Sequence, residues 1–178
     1  MKKILLLSAA IMVCMTSFGQ FRVGLGLIGG LPSGDFGDVA DFGIGGYIEP
    51  KISFSDIEVG LHLGGMAFAG ADISGTSGSV SGTTIVPITA NGYYFFDLPG
   101  VKPYVGAGLG PYFVDFGSVD TGVTGVPDID GGSSTEFGFS PRAGLNLGGF
   151  DIGVAYHIVS DLNYFGFNLG FHIGKRAG

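Results

Sequence analysis

The chain has 178 residues, with 8 Lys and Arg against 15 Asp and Glu, 36 glycines and a single cysteine. Its net charge of −7 excludes the basic surface that nucleic-acid phosphates recruit, and one cysteine excludes an internal disulfide framework. Charged residues make up only 13%, against ~25% in an ordinary soluble domain.

Residues 1–19 have the layout of a secretory signal peptide. Lys2 and Lys3 lead into an apolar core from Ile4 to Met15, and small or polar residues follow up to Gln20. That core is 12 residues long, short of the ~20 a spanning helix needs. Ile11, Met12 and Val13 lack the small side chains that lipoprotein processing at Cys14 prefers. Cleavage is expected near Gly19-Gln20, which removes Cys14. Residues 20–178 then form one domain, whose 6 bases and 15 acids leave about −9. Beyond the signal no apolar run approaches spanning length, so helices cannot place this chain in a bilayer, whereas a closed β-barrel can.

Eight segments alternate with a period of two. The first, 21–31, sets Phe21, Val23, Leu25 and Leu27 against Arg22, Gly24 and Gly26. Its Gly24-x-Gly26-x-x-Gly29 matches a dinucleotide fingerprint, but no strand precedes it and no helical pattern follows, so we read the match as chance. A loop at 32–41 carries Asp35, Asp38 and Asp41. The second and third strands, 42–53 and 57–68, flank a tight turn. Phe42, Ile44, Ile48 and Ile52, then Ile57, Val59, Leu61 and Leu63, share one face; Tyr47, Glu49, Lys51, Glu58, Gly60 and His62 share the other. A Gly/Ser/Thr-rich loop spans 69–82.

The fourth strand, 83–96, has Val86, Ile88 and Ala90 opposite Thr89 and Asn91, while the consecutive Tyr93, Tyr94, Phe95 and Phe96 leave its phase open. After a turn at Asp97-Leu98-Pro99-Gly100, the fifth strand, 101–113, sets Val101, Val105, Ala107 and Leu109 against Lys102, Tyr104 and Gly106. The longest loop covers 114–135. The sixth strand, 136–147, opposes Phe137, Phe139, Ala143 and Leu145 to Glu136, Ser140, Arg142 and Gly144. Gly148-Gly149 turns the chain into the seventh, 150–159, where Phe150, Ile152, Val154 and Tyr156 oppose Asp151, Gly153 and His157. A short loop at 160–162 leads to the eighth, 163–174, with Phe165, Phe167, Leu169, Phe171 and Ile173 on one side.

Long and short connections alternate strictly, which gathers the long loops at one end of the barrel and brings both chain termini to the tight-turn end. The expected fold is all-β, an eight-stranded antiparallel up-and-down transmembrane β-barrel. A soluble lipocalin-like barrel would alternate too, with inside and outside exchanged. The glycine-rich face would make a poor water-facing surface, and every charged strand residue falls on it. We therefore expect glycine and charge inside and aliphatics against lipid, where an Arg or Lys would cost roughly 2–4 kcal/mol. Aromatics cluster near both ends and suggest interfacial girdles: Phe42, Phe68, Tyr112, Phe113, Phe137, Phe139, Tyr156 and Tyr164 toward the loops, and Phe54, Tyr93 to Phe96, Tyr104, Phe150 and Phe171 toward the turns.

Several stretches carry a resemblance: Ser17-Phe18-Gly19 before Gln20, Lys102-Pro103-Tyr104-Val105-Gly106-Ala107-Gly108-Leu109-Gly110, Pro141-Arg142-Ala143-Gly144 and the terminal strand. The chain resembles the small outer-membrane β-barrel domain family of the OmpA/OmpX type, common in Gram-negative bacteria and especially Bacteroidota. The resemblance implies an outer-membrane location, outer-membrane lipid as surroundings, and the barrel-assembly machinery as a partner reading Phe171 and Ile173. Its motifs belong to the barrel wall and imply no activity. Family members often end on an aromatic, whereas Lys175 to Gly178 follow the last strand here.

The expected lumenal network comprises Arg22, Lys51, Lys102 and Arg142, the acids Glu49, Glu58, Glu136 and Asp151, and Tyr104. Buried charges persist only when paired, so we expect a salt-bridge plug; a narrow porin-like channel is the alternative. Asp35, Asp38, Asp41, Asp72, Asp115, Asp120, Asp128, Asp130 and Asp161 lie in or beside loops that contain no Lys or Arg. They are expected to form a solvated acidic surface, since neither Asp128-x-Asp130-Gly131 nor the Asp35/Asp38/Asp41 set completes a calcium-loop pattern. His157 and Ser160 are an odd number of residues apart and face opposite ways, which argues against a lipid A-modifying enzyme. The expected protein is a monomer without cofactor, metal or catalytic residues, whose extracellular ligand is unknown.

Overall fold

Alternation of large aliphatic with small or polar side chains gives the strands two unlike faces, and closing the sheet assigns one face to the axis. The structure, a computed structural model, describes residues 21–70, 79–120 and 130–174. Long strands run β1 (Phe21–Pro32), β2 (Ala40–Phe54), β3 (Ile57–Gly70), β5 (Thr83–Phe95), β6 (Lys102–Asp115), β8 (Ser133–Leu147), β9 (Phe150–His157) and β10 (Tyr164–Gly174). Two short strands, β4 (Ser79–Val80) and β7 (Val119–Asp120), pair with each other and join the loop at 69–82 to the loop at 114–135. Each long strand pairs antiparallel with the next, and β10 pairs with β1 from Arg22 opposite Gly174 to Pro32 opposite Tyr164. The result is a closed eight-stranded up-and-down barrel.

The aliphatic face points away from the axis, opposite to a lipocalin. Leu27 is 63% exposed and Phe137 68%, while Arg22, Glu49, Lys51, Glu58, His62, Asn91 and Asp151 are buried inside. Strand ends extend past the expected limits, so Asp41 and Asp115 lie on the loop-side tips of β2 and β6, exposed. β9 instead stops two residues early. There the Val159 amide donates to Asn163 Oδ1 at 3.1 Å, and Ser160 takes a positive φ of 47° to turn the chain. The ambiguous aromatic run resolves through the register: Glu58 faces Tyr93 and Ile57 faces Tyr94, so Tyr93 and Phe95 point inward.

That phase corrects the girdle expectation. Phe68, Tyr112 and Tyr164 at the loop end, and Tyr93, Phe95 and Tyr104 at the turn end, are buried in the lumen. The reason is volume: a wall rich in glycine leaves room that only large side chains fill. A β-carbon on Gly43 would stand 2.6 Å from the Phe68 ring, one on Gly138 2.6 Å from the Tyr112 ring, and one on Gly24 2.9 Å from His172. Phe42, Phe113, Phe137 and Phe139 remain outside toward the loops, as do Phe54, Tyr94, Phe150 and Phe171 toward the turns.

A 3₁₀ turn, Gly34–Asp38, folds Phe36 into the loop-side mouth, its ring edge-on to Phe68 at 5.0 Å. Phe36, Phe68, Met66, Ile85, Tyr112, Val159 and Tyr164 belong to one apolar cluster there. Gly138→Val should force Tyr112 to shift and lower the unfolding free energy by about 1–3 kcal/mol. At Gly65, where an added β-carbon meets nothing within 4 Å, alanine should change it by less than about 0.5 kcal/mol. Thermal melts of the refolded proteins in detergent compare the two.

Candidate functional site

The lumen is built by residues two apart on single strands and by their cross-strand neighbours. Near the turns, Arg22 Nη2 of β1 lies 3.2 Å from Glu58 Oε2 of β3, and Ser53 Oγ donates to Glu58 Oε1 at 2.9 Å. Glu49 and Lys51 share the inner face of β2 because they are two residues apart, and they pair at 3.1 Å. Asn91 Nδ2 and the Tyr93 hydroxyl both donate to Glu49 Oε1 at 2.7 Å. The Tyr93 oxygen in turn accepts from Arg142 Nη1 at 3.0 Å, and Lys51 Nζ stands 4.1 Å over the Tyr93 ring. Tyr93 therefore links one acid to two bases without itself carrying charge.

Across the barrel, Asp151 Oδ1 of β9 accepts from the Tyr104 hydroxyl at 2.9 Å and from Asn168 Nδ2 at 2.8 Å. Toward the mouth, the Tyr112 hydroxyl and His157 Nδ1 are 2.8 Å apart, and the His157 ring stacks on Tyr164 at 4.3 Å. Between the ionic layer and the apolar cluster lies a cavity of about 30 Å³, lined in part by Tyr47, His62, Arg142, Asp151 and Tyr164.

Seven of the nine residues expected in the network, Arg22, Glu49, Lys51, Glu58, Tyr104, Arg142 and Asp151, face this interior. Lys102 does not join them. As the first residue of β6 it reaches back over the turn, and its Nζ pairs with Asp97 Oδ1 at 2.9 Å, with the two side chains 40% and 74% exposed. Glu136 sits at the opposite rim and accepts from Ser160 Oγ at 2.9 Å in an exposed bond, so it too is separate from the ionic layer. The hub Tyr93 was missed because it hides in the aromatic run. Asn91, two residues earlier and inward, was the signal that could have set its phase.

Asp35, Asp38, Asp41, Asp115, Asp130 and Asp161 are exposed at the loop end. Asp72 and Asp128 lie outside the described residues, as do the signal segment and Lys175 to Gly178. Among the described residues, no group of three or more His, Cys, Asp or Glu side chains is placed to hold a metal ion. His157 faces the lumen while Ser160 is exposed on the loop.

Fold and lumen together define a small antiparallel barrel with an aliphatic exterior and an ionic interior. Solved structures share this fold. Neisserial surface protein A is similar at 17% identity with a TM-score of 0.58, covering 87% of this chain and 97% of that one. Ail, the attachment invasion locus protein of Yersinia pestis, is similar at 15% identity and a TM-score of 0.54, covering 87% and 99%. The N-terminal β-barrel domain of Pseudomonas aeruginosa OprF is similar at 19% identity and a TM-score of 0.51, covering 87% and 99%. No protein-family model matches the chain, and no curated protein matches it by sequence.

The contrast between inner and rim ion pairs is measurable. Glu49→Gln leaves Lys51 buried without its carboxylate and should cost about 3–5 kcal/mol. Lys102→Ala removes an exposed pair and should cost about 0–1 kcal/mol. Unfolding midpoints in urea and detergent read both.

Proposed function

We propose that the chain is an integral outer-membrane β-barrel protein of the OmpA/OmpX type, exported by residues 1–19, with a plugged lumen and acidic loops that meet partners at the cell surface. The aliphatic exterior carries this reading. Leu25, Leu27, Ile44, Ile48, Leu61, Leu109, Ile152 and Leu169 all project outward and exposed. So large an apolar surface is incompatible with a protein dissolved in water, and it suits the hydrocarbon band of a bilayer. Outer-membrane lipid is then the barrel's surroundings, and the assembly machinery inserts it by reading β10.

The interior supports a plug. Ion pairs, phenols and amides from opposite walls meet across the axis, and the 30 Å³ cavity between them is far too small for a hydrated ion pathway. The loops support a surface role by their chemistry. Exposed aspartates crowd one end, while residues 33–41, 69–82, 114–135 and 160–163 contain no Lys or Arg. Ail has been solved in complex with the heparin analogue sucrose octasulfate. The acidic loops here would repel such a polyanion and favour a cationic partner. The role is structural or surface-interacting rather than enzymatic, and the barrel acts as a monomer.

In cells, the mature chain should sediment with outer membranes and migrate faster on a denaturing gel before boiling than after. Recovery as a freely soluble periplasmic protein overturns the reading. In lipid vesicles, Leu27→Arg should lower stability by roughly 2–4 kcal/mol, as expected for an arginine near mid-bilayer. Planar bilayers containing the wild-type protein should show no steady conductance step; a stable open level would replace the plug with a channel.

A further inference from the structure

We infer that a cleft at the loop-side end of the barrel is a docking site for an arginine-containing, amphipathic peptide segment of another protein. The inference rests on the reading above, in which these loops face the outside and favour a cationic partner. Connections far apart in the chain build the cleft, which measures about 250 Å³ and opens outward. One wall is the 3₁₀ turn Gly34–Asp38 with Val39, a second is Phe116 just after β6, and a third is the stretch from Ser160 to Leu162 between β9 and β10. Backbone bonds hold each wall. The Val39 amide donates to the Phe36 carbonyl at 3.3 Å, the Phe116 amide to Gly132 at 2.8 Å and the Leu162 amide to Val159 at 2.7 Å. A site formed in advance leaves less to be ordered when a ligand arrives.

The lining combines two chemistries. Phe36, Val39, Phe116 and Leu162 supply apolar surface, and Val39 and Phe116 stay 46% and 36% exposed at the end that this reading places in water. Asp35, Glu136 and Asp161 stand among them. A solvated acidic surface accounts for the carboxylates but not for the apolar groups between them. The complementary charge does not come from this chain. Among the described residues every Lys and Arg, namely Arg22, Lys51, Lys102 and Arg142, lies in the lumen or at the turn end, and a second copy in the same membrane presents the same acidic end. A bare metal ion does not fit either, because no three acids among the described residues are grouped to coordinate one. Arginine meets both halves of the lining. Its planar guanidinium pairs with carboxylates and stacks on an aromatic face such as that of Phe116, while an apolar neighbour in the peptide covers Val39 and Leu162. Lysine carries a compact, strongly hydrated charge that answers the acids alone.

Fluorescence anisotropy with the full chain folded in nonionic detergent at low salt, with empty micelles subtracted, tests this. The probes are three labelled eight-residue peptides, alternating Arg with Leu, Lys with Leu, and Arg with Ser. The Arg-Leu peptide should bind more tightly than either of the others by about threefold or more. Phe116→Ser, and the pair Asp35→Asn with Asp161→Asn, should each weaken its binding by about fivefold or more. Asp41→Asn with Asp115→Asn removes two exposed acids of the same end that lie outside the cleft, and should change it by less than about twofold. Every variant is assayed as the folded, fast-migrating form. Equal weakening by the two acid pairs, or no effect of Phe116→Ser, would overturn the cleft as the site while leaving a general attraction of cations to the loops intact. Equal binding of the Arg-Leu and Lys-Leu peptides would overturn the choice of arginine. Failure of all three peptides to bind would overturn both this inference and the cationic partner proposed for the loops.

Discussion

Closure of the sheet between β1 and β10 is the constraint on which everything else depends. An open sheet leaves a row of unpaired N–H and C=O groups along each edge, and only closure removes both edges. Eleven residue pairs run along the seam from Arg22 opposite Gly174 to Pro32 opposite Tyr164, leaving neither strand an exposed ladder. Once the sheet is closed, every residue faces either the axis or the surroundings, and the two-residue period sorts the whole chain at once.

Filling the axis is the second consequence. Eight strands enclose a narrow interior, and glycines at Gly24, Gly30, Gly43 and Gly138 thin the wall where rings lie against it. The aromatics that fill this room meet edge-on or tilted in two layers, Phe68 and Tyr164 with their neighbours near the mouth and Tyr93, Phe95 and Tyr104 near the turns. Glycine and aromatic thus work as one packing unit across neighbouring strands, and neither choice makes sense alone.

Among the turn-side rings, with Lys51 Nζ 4.1 Å over Tyr93 and Arg22 5.8 Å over Phe95, the charges are held by geometry that favours pairing over solvation. Removing an ion from water costs several kcal/mol, and a single partner seldom offsets it. Glu49 instead collects Lys51, Asn91 and Tyr93, while Arg22 and Glu58 pair beneath with help from Ser53. Rim charges behave differently. Lys102 with Asp97, and Glu136 with Ser160, stay in contact with solvent and add little.

The number of strands, their order of long and short connections, and the face on which each of Arg22, Glu49, Lys51, Glu58, Arg142 and Asp151 stands were legible in the sequence. Alternation is a local property, and a charge on the wrong face would be too costly to tolerate. Three things were decided only by the folded barrel. Tyr93 became the hub because the register opposite Glu58 settled a phase that four consecutive aromatics had obscured. Lys102 and Glu136 left the network because height along the axis depends on where strands end, which period-two reasoning does not measure. Phe36 entered the mouth, and β4 met β7, through contacts between segments far apart in the chain. Sequence periodicity reports which way a side chain points, whereas its partner across the axis depends on the stagger of eight strands, and that exists only after closure.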